Sequence, residues 1–227
     1  MRAQFCRGVL FGLLAGAGVT PVLAQTFTFE GLVDSTTLAS QYTGATFGNA
    51  IILTQGITLD EFEFPPHAGS NVASDNGGPM SIVFASPLRG FSGYFTYSVP
   101  LTVQALDSGN NVLASATSAF SSNEALSGNS GSHPSELLRV TSPADISKIV
   151  ITGGSQGTSF TVDDATVFTK CDIDLNGTVT VADTQAIINE SLGTAAAVDD
   201  LNRDGVVNVA DVQIVINAAL SLGCAAK

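Results

Sequence analysis

The sequence lacks tryptophan and contains only three tyrosines and two histidines among its 227 residues. Carbohydrate-binding surfaces usually stack a sugar ring on Trp or Tyr, so this composition argues against a large aromatic sugar platform. The two histidines, His67 and His133, lie beside prolines in Gly/Ser-rich stretches, and neither belongs to a His-Glu-x-x-His metal motif. The sequence therefore does not indicate a zinc-dependent hydrolase of that type. We also expect no Gly-x-Ser-x-Gly nucleophile elbow.

Basic residues are scarce, since 8 of them face 20 acidic residues. Two of the eight, Arg2 and Arg7, fall within the first 24 residues. Without that segment the chain has 6 basic and 20 acidic residues, a net charge of −14. Nucleic-acid binding requires a basic surface, so the charge argues against nucleic acid as a partner.

The first 24 residues have the pattern of an export signal peptide. A basic start precedes an apolar run at 9–19, and Val22-Leu23-Ala24 offers small residues for cleavage before Gln25. A retained membrane anchor is the alternative, although the run is short and rich in Gly and Ala. No later segment is long and apolar enough to cross a bilayer. We therefore expect a secreted or cell-surface protein with no transmembrane segment after signal cleavage.

Residues 25–169 predict a mainly β domain. Short runs rich in Phe, Val, Ile and Thr alternate with Gly, Ser, Asn and Pro clusters, and no window sustains a helical period. This pattern indicates an antiparallel β-sandwich, jelly-roll-like in its connections, followed by a small α-helical module at 170–227. The predicted strands are 26–30, 46–53, 59–64, 80–84, 91–97, 101–107, 112–117, 136–140, 148–152 and 159–168.

Two acidic residues and two long loops are the candidate chemistry of this predicted sandwich. Glu61 and Glu63 share one face of a predicted strand, and glycosidic-bond hydrolysis needs two carboxylates across a cleft. The loops 65–79 and 121–134 could form a polar binding site, or they could simply be mobile. Their polar residues are His67, Asn71, Asp75, Asn76, Asn123, Glu124, Asn129 and His133.

Two copies of one twelve-residue acidic loop occupy the C-terminal quarter of the chain. The first, DIDLNGTVTVAD, is 172–183, and the second, DLNRDGVVNVAD, starts 28 residues later at 200–211. Both have an oxygen-bearing side chain at positions 1, 3, 5, 9 and 12, and glycine at position 6. Calcium prefers about six to eight oxygen ligands at about 2.3–2.6 Å, which this spacing supplies. Solvated surface turns are the alternative, but two loops in register, each followed by an apolar helical run, favour calcium.

We predict that each loop binds one Ca²⁺ ion. Position 12 is Asp in place of the Glu usual in calcium loops, and position 7 would contribute a backbone carbonyl. The predicted ligands are Asp172, Asp174, Asn176, Thr178, Thr180, Asp183, Asp200, Asn202, Asp204, Val206, Asn208 and Asp211.

This duplicated loop-plus-helix resembles a type I dockerin, a module that attaches secreted proteins to cohesin domains. Val179 and Val207 match its apolar position 8, and the core face of each helix is matched by Ile187 with Leu192 and by Val215 with Leu220. The resemblance implies that a cohesin partner contacts helix positions 10, 11, 17 and 18. Both repeats carry the same four residue types there, which would allow docking in two orientations related by a half turn. The implied partner-binding residues are Val181, Ala182, Ile188, Asn189, Val209, Ala210, Ile216 and Asn217.

The Ser/Thr and Lys/Arg residues frequent at these positions in dockerins are absent from this chain. The apolar patch could instead rest on the neighbouring domain. It could also belong to a calcium-dependent module that has no cohesin partner.

Cys171 and Cys224 bracket the pair of repeats. In an oxidising compartment they could form a disulfide across the module, the alternative being two free thiols. By chain entropy, a link of this span would stabilise the fold by about 4 kcal/mol. Only 168–170 connect the last predicted strand to Cys171, so we expect the two domains to touch.

The segments 26–31 and 159–164 resemble the terminal strands of secreted bacterial β-sandwich modules of carbohydrate-binding type. The resemblance implies a polysaccharide or cell-surface glycan as ligand, and in many such modules the paired terminal strands hold a structural Ca²⁺. Glu30, Asp163 and Asp164 are the candidate ligands for that ion. Exposed carboxylates at a strand end are the alternative.

Together these features predict an exported, non-catalytic protein in which a binding or display sandwich precedes a calcium-folded attachment module, with a possible link to polysaccharide degradation. A small glycoside hydrolase carrying the same module is one alternative. A structural surface protein, whose repeats only rigidify its end, is the other.

Overall fold

The computed structural model describes residues 25–227, so the predicted signal peptide at 1–24 lies outside the described residues. Within this range, antiparallel strands are followed by two short helices, which confirms the predicted mainly β class. The elements are β1 Gln25–Phe27, β2 Thr37–Leu38, β3 Ala45–Gly48, β4 Ala50–Thr54, β5 Asn71–Asp75, β6 Met80–Tyr97, β7 Thr102–Leu106, β8 Val112–Thr117, β9 Glu136–Thr152, β10 Phe160–Thr169, α1 Val181–Ser191 and α2 Val209–Ala219.

Two long strands, β6 and β9, run through both layers of the β domain. The first part of β6 pairs with β3 and with the end of β9, whereas its last part pairs with β10 and with the start of β9. The register of the β6–β9 pair shifts between Val83 and Gly90. Pro87 lies in this interval of β6, and Pro143 lies in the facing part of β9. Proline donates no ladder hydrogen bond, and the pairing is irregular here. After Pro87, β6 exchanges β3 for β10, whereas after Pro143, β9 keeps β6 and gains β7.

One hydrophobic core lies between the layers. It combines Phe47 and Ile149 from one layer with Phe95 and Val162 from the other, all of them buried. This packing is the arrangement of a β-sandwich. Four of the five aromatic residues of β6, including the fully buried Tyr97, belong to the core and are not available as a sugar platform. The fifth, Tyr94, is partly buried and stacks on the ring of His67.

Six predicted β segments differ from the strands of the structure. Residues 59–64 form a turn, in which the Asp60 carbonyl accepts hydrogen bonds from the backbone N–H groups of Glu63 and Phe64. The predicted strand 46–53 is divided into β3 and β4 by Asn49, which has a φ of 53°. The segments 80–84 and 91–97 are one strand, β6, and the segments 136–140 and 148–152 are one strand, β9.

The predicted loop 65–79 contains a further strand, β5, which was not predicted. Its last residue, Asp75, is fully buried and accepts hydrogen bonds from the backbone N–H groups of Ser159 and Phe160 and from the Ser159 hydroxyl. Asp75 therefore fixes the start of β10 and is not part of an exposed polar site.

The C-terminal module is built from α1, α2 and the loop before each helix. Thr180 and Asn208 cap the two helices, and each accepts a hydrogen bond from the backbone N–H two residues later. Ile187 and Val215 are buried in a small core, as predicted. Leu192 and Leu220 are exposed at the C-terminal ends of the helices, so their predicted core position is wrong.

Cys171 and Cys224 form a disulfide with a Cα–Cα distance of 5.8 Å, which confirms the predicted pair. The bond joins residues 53 positions apart and ties the two ends of the module together. Among the described residues, no helix is both long enough and apolar enough to span a bilayer.

Replacing both cysteines with serine should lower the free energy of unfolding of the C-terminal module by about 4 kcal/mol, because the unfolded chain regains the entropy that the link removes. Denaturant unfolding followed by helical circular dichroism measures this difference. An unchanged unfolding midpoint in the double variant would show that the disulfide does not stabilise the module.

Candidate metal centre

The two acidic loops have the same backbone conformation. Position 4 is left-handed in both, with φ of 58° at Leu175 and 60° at Arg203. Position 6 is glycine in both, with φ of 92° at Gly177 and 93° at Gly205. A side chain is disfavoured at these φ values, so glycine at position 6 permits the sharp turn that aims the flanking side chains inward.

The first carboxylate of each loop holds the turn closed. Asp172 accepts hydrogen bonds from the backbone N–H groups of Asn176 at 3.0 Å and Gly177 at 2.9 Å. Asp200 accepts the equivalent bonds from Asp204 at 3.2 Å and Gly205 at 2.7 Å. The same two backbone positions therefore contact the first side chain in both repeats.

The last carboxylate of each loop ties the loop to its helix. In the first repeat, one oxygen of Asp183 accepts from the backbone N–H of Ile173 at 2.7 Å, and the other accepts from that of Thr180 at 2.8 Å. In the second, Asp211 bonds Asn202 at 3.0 Å and Asn208 at 2.9 Å. Both aspartates are fully buried and also complete the capping boxes of α1 and α2. Loop closure and helix initiation thus depend on the same side chain.

Three carboxylates of the first loop converge on one point. One oxygen each from Asp172, Asp174 and Asp183 lies within 4.8 Å of the other two. Ligands bound at about 2.3–2.6 Å from a shared ion are separated by up to about 5 Å, so this donor set fits Ca²⁺. Burial, together with the nearby charges of Asp183 and Asp174, raises the pKa of Asp172 to about 6. A divalent cation would offset this repulsion.

The second loop also carries three carboxylates, but one of them lies at position 5, Asp204, in place of position 3. Position 3 is Asn202, whose amide nitrogen donates to Asp204 at 3.0 Å and lowers the pKa of that carboxyl. Asn208 donates to the carbonyl of Val206 at 3.2 Å. The second loop therefore has an oxygen-bearing side chain at positions 1, 3, 5, 9 and 12, as predicted, and two of these side chains, Asn202 and Asn208, are amides.

The sandwich carboxylates predicted as a further calcium site lie around the segment 67–71. Glu30 accepts hydrogen bonds from the backbone N–H groups of Ser70 and Asn71, both at 2.9 Å. Asp163 accepts from Ala68 at 2.9 Å, and Asp164 bonds the His67 ring at 2.7 Å. Within residues 25–227, these three carboxylates do not form a cluster of convergent ligand atoms. The hydrogen bonds of these three carboxylates hold the segment 67–71 in place. The further calcium site stays a prediction.

Two residues of the predicted polar loops, Asn71 and Asn123, are buried and bind backbone groups inside the sandwich. Asn71 is buried and donates to the carbonyls of Phe29 and Leu32. Asn123 is fully buried and bonds the backbone of β6 and the carbonyl of His133. Residues 121–134 form a loop, as predicted, but Asn123 points into the sandwich and holds the loop there.

The predicted carboxylate pair does not have the geometry of a hydrolase. Glu63 accepts hydrogen bonds from the backbone N–H groups of Leu126 and Ser127, and these bonds lower its pKa, whereas a general acid needs a raised one. Residues 153–157 match the Gly-x-Ser-x-Gly pattern around Ser155, so the expectation that the chain lacks this motif is wrong. These residues join β9 to β10, however, whereas a nucleophile elbow lies between a strand and a helix.

The residues implied in cohesin binding form two similar exposed patches. Val181 and Val209 are 80% and 78% exposed, so neither rests on the sandwich. The alanine that follows each valine is also exposed. Towards the helix ends, Asn189 and Asn217 each accept a hydrogen bond from a glutamine one turn earlier, at 3.0 and 2.9 Å. Ile188 and Ile216 are partly buried against the small core.

The residues that join the C-terminal module to the sandwich were not predicted from the sequence. Arg139 and Asp145 of β9 contact the two acidic loops, and Arg89 of β6 pairs with Asp199. These partners are 36 to 110 residues apart in the chain, so no local pattern connects them. The one sequence feature that could have pointed to these residues is the small number of basic side chains.

Comparison with known proteins assigns no family, since no family model matches the chain and no curated protein is similar to it. Among solved structures, the K2 cleaved adhesin domain of Lys-gingipain matches 63% of this chain and 98% of its own, with 16% identity and a TM-score of 0.42. An arabinose-bound α-L-arabinofuranosidase matches 77% of this chain and 30% of its own, with 13% identity and a TM-score of 0.45. A family 6 carbohydrate-binding module matches 60% and 95%, with 10% identity and a TM-score of 0.31. Similarities at this level assign neither a ligand nor an activity to this chain.

The raised pKa of Asp172 predicts opposite pH dependences with and without metal. In chelator, the module should be more stable at about pH 5 than at about pH 7, because its stability falls as pH rises from the ordinary value of 3.8 to about 6 and the buried carboxyl ionises. In excess calcium the module should instead be more stable at about pH 7 than at about pH 5, because protons compete with the ion for the carboxylate. Thermal unfolding followed by helical circular dichroism measures both, with Asp172→Asn as the control that loses this pH dependence. The same order of stability in both buffers would contradict the prediction.

Proposed function

We propose that residues 170–227 are a calcium-folded attachment module resembling a type I dockerin, which joins an exported β-sandwich to a cohesin-type protein domain. The observation that carries the proposal is the equivalence of the two acidic loops, which share their φ values and their hydrogen-bond pattern. Each loop leads into a helix of eleven residues that begins with an exposed Val-Ala pair.

Calcium would act by neutralising the carboxylates that close each loop. Asp183 and Asp211 are buried and anchor the first turn of a helix, so their charges must be offset for loop and helix to persist together. The small core around Ile187 and Val215 gives limited hydrophobic stabilisation. An ion that binds only the folded form would add about 4 kcal/mol at a thousandfold excess over its dissociation constant.

Attachment is supported by the symmetry of the exposed patches. Val181 and Val209 occupy the same helical position and have nearly equal exposure. A partner that binds one patch could bind the other after a half turn of the module. Neither patch is covered by the sandwich, so both remain accessible in the two-domain chain.

The sandwich is proposed to be the displayed domain, with a polysaccharide or cell-surface glycan as its ligand. Pairing of β1 with the C-terminal part of β10 supports the resemblance of the terminal strands to secreted carbohydrate-binding modules. The disulfide supports secretion, because such bonds persist in oxidising compartments. Catalysis is not part of the proposal, since the bonds of Glu63 do not suit a general acid.

At about pH 7, chelation of calcium should unfold the C-terminal module and leave the sandwich folded. All three tyrosines, Tyr42, Tyr94 and Tyr97, belong to the sandwich, so tyrosine fluorescence reports that domain alone. Helical circular dichroism reports α1 and α2, the two helices among the described residues. The expected result is loss of the helical signal with an unchanged tyrosine signal. A helical signal that survives chelation would contradict calcium-dependent folding.

Docking should tolerate the loss of one apolar patch but not of both. Each single variant, Val181→Asp or Val209→Asp, should bind cohesin about twofold more weakly, because one of the two orientations remains. The double variant should lose binding. Surface plasmon resonance against cohesins encoded in the same genome measures this difference. Leu222→Asp, an exposed apolar residue of the module outside both patches, is the matched control.

Two other results would favour the alternative functions. Calcium-dependent folding without binding to any cohesin would indicate a structural surface protein. Turnover of a polysaccharide that is lost on Glu63→Gln would indicate a glycan-active hydrolase.

A further inference from the structure

Most of the basic side chains of the described chain lie at the junction between the sandwich and the C-terminal module. Residues 25–227 contain six basic residues, and four of them make contacts at this junction. The six are Arg89, Arg139, Lys148, Lys170, Arg203 and Lys227. Such a concentration, in a chain with 20 acidic residues, marks the junction as a specific interface.

The first acidic loop contacts β9 through its position 4. The guanidinium of Arg139 donates to the carbonyl of Leu175 at 2.5 Å, and it lies 4.3 Å from the centre of the Phe168 ring of β10. Leu175 stands between the predicted ligands Asp174 and Asn176. The contact therefore depends on the left-handed conformation that the loop needs for its ligands to converge.

The second acidic loop contacts the same strand through its own position 4. Arg203 pairs with one oxygen of Asp145, and Lys170 pairs with the other. Arg203 stands between the predicted ligands Asn202 and Asp204. Both loops thus present equivalent positions to β9, one to its first half and one near its centre.

Two further contacts lie within one or two residues of predicted ligands. Asp199, which is buried and precedes Asp200, pairs with Arg89 of β6. A methyl group added at Gly177 would lie 3.1 Å from the Thr166 side chain of β10, whereas the equivalent Gly205 has open space. The first loop therefore fits closely against the sandwich, whereas Val181 and Val209 are exposed.

We propose that the face formed by Arg89, Arg139, Asp145 and Thr166 is a docking surface for the calcium-loaded loops, so that calcium binding and domain docking strengthen each other. The inference rests on the proposed calcium binding and adds that the sandwich contributes to it. In each loop the contact residue, Leu175 or Arg203, stands between two predicted ligands, so ordering of the loop by calcium and ordering by docking each lower the cost of the other. Thermodynamic linkage requires the coupling to be reciprocal.

The test compares calcium affinities of the mature chain, residues 25–227, by isothermal titration calorimetry. Arg139→Gln removes a positive charge near the loops and Asp145→Asn removes a negative one, so a simple field effect would strengthen calcium binding in the first and weaken it in the second. Coupling through docking predicts instead that both variants weaken binding, by about fivefold each. Lys148→Gln, a change on the same strand outside these contacts, should have no effect.

A second measurement compares the sandwich of the wild-type chain with and without calcium. If docking is coupled to calcium, the ion should raise the unfolding temperature of the sandwich, followed by tyrosine fluorescence, by about 3 °C, and the gain should vanish in Arg139→Gln. This measurement decides the question even if a variant fails to fold.

The outcomes separate the two proposals. Absence of calcium uptake by the wild-type chain would overturn the proposed function itself. Calcium uptake with unchanged or tighter binding in Arg139→Gln, or with no effect of the ion on the sandwich, would overturn only the coupling.

Discussion

The C-terminal module depends on the confinement of like charges. Asp172, Asp183 and their equivalents Asp200 and Asp211 are held by backbone N–H groups, which orient the carboxylates but only partly offset their charge. Because Asp183 and Asp211 also start the helices, the helices cannot form independently of the loops. A divalent cation in each loop would offset this repulsion, and the small core and the disulfide stabilise the module further.

This constraint also explains how the chain uses its few cations. Four of the six basic side chains in residues 25–227 contact the junction, where they lie near the acidic loops without occupying the ligand positions. The loops contact the sandwich, and the starts of the helices are exposed. The proposed attachment function requires this combination of a module held to its own chain and a surface left accessible.

Local features were predictable and distant ones were not. The acidic loops and the cysteine pair could be identified because their residues follow a fixed local spacing. Residues 59–64 were wrongly predicted as a strand, because their acidic and aromatic alternation also suits a turn closed by Asp60. Strands β6 and β9 were divided in the prediction, although each continues past an internal proline, Pro87 or Pro143, and pairs on both sides of it. Buried polar residues such as Asp75 could not be recognised, since their partners are more than 80 residues away.

Calcium titration of the mature chain by isothermal titration calorimetry tests the central claim most directly. The account predicts uptake of two ions per chain, one for each acidic loop, and the loss of one ion in Asp183→Ala and of the other in Asp211→Ala. No heat of binding, or uptake of fewer than two ions by the folded wild-type chain, would contradict it.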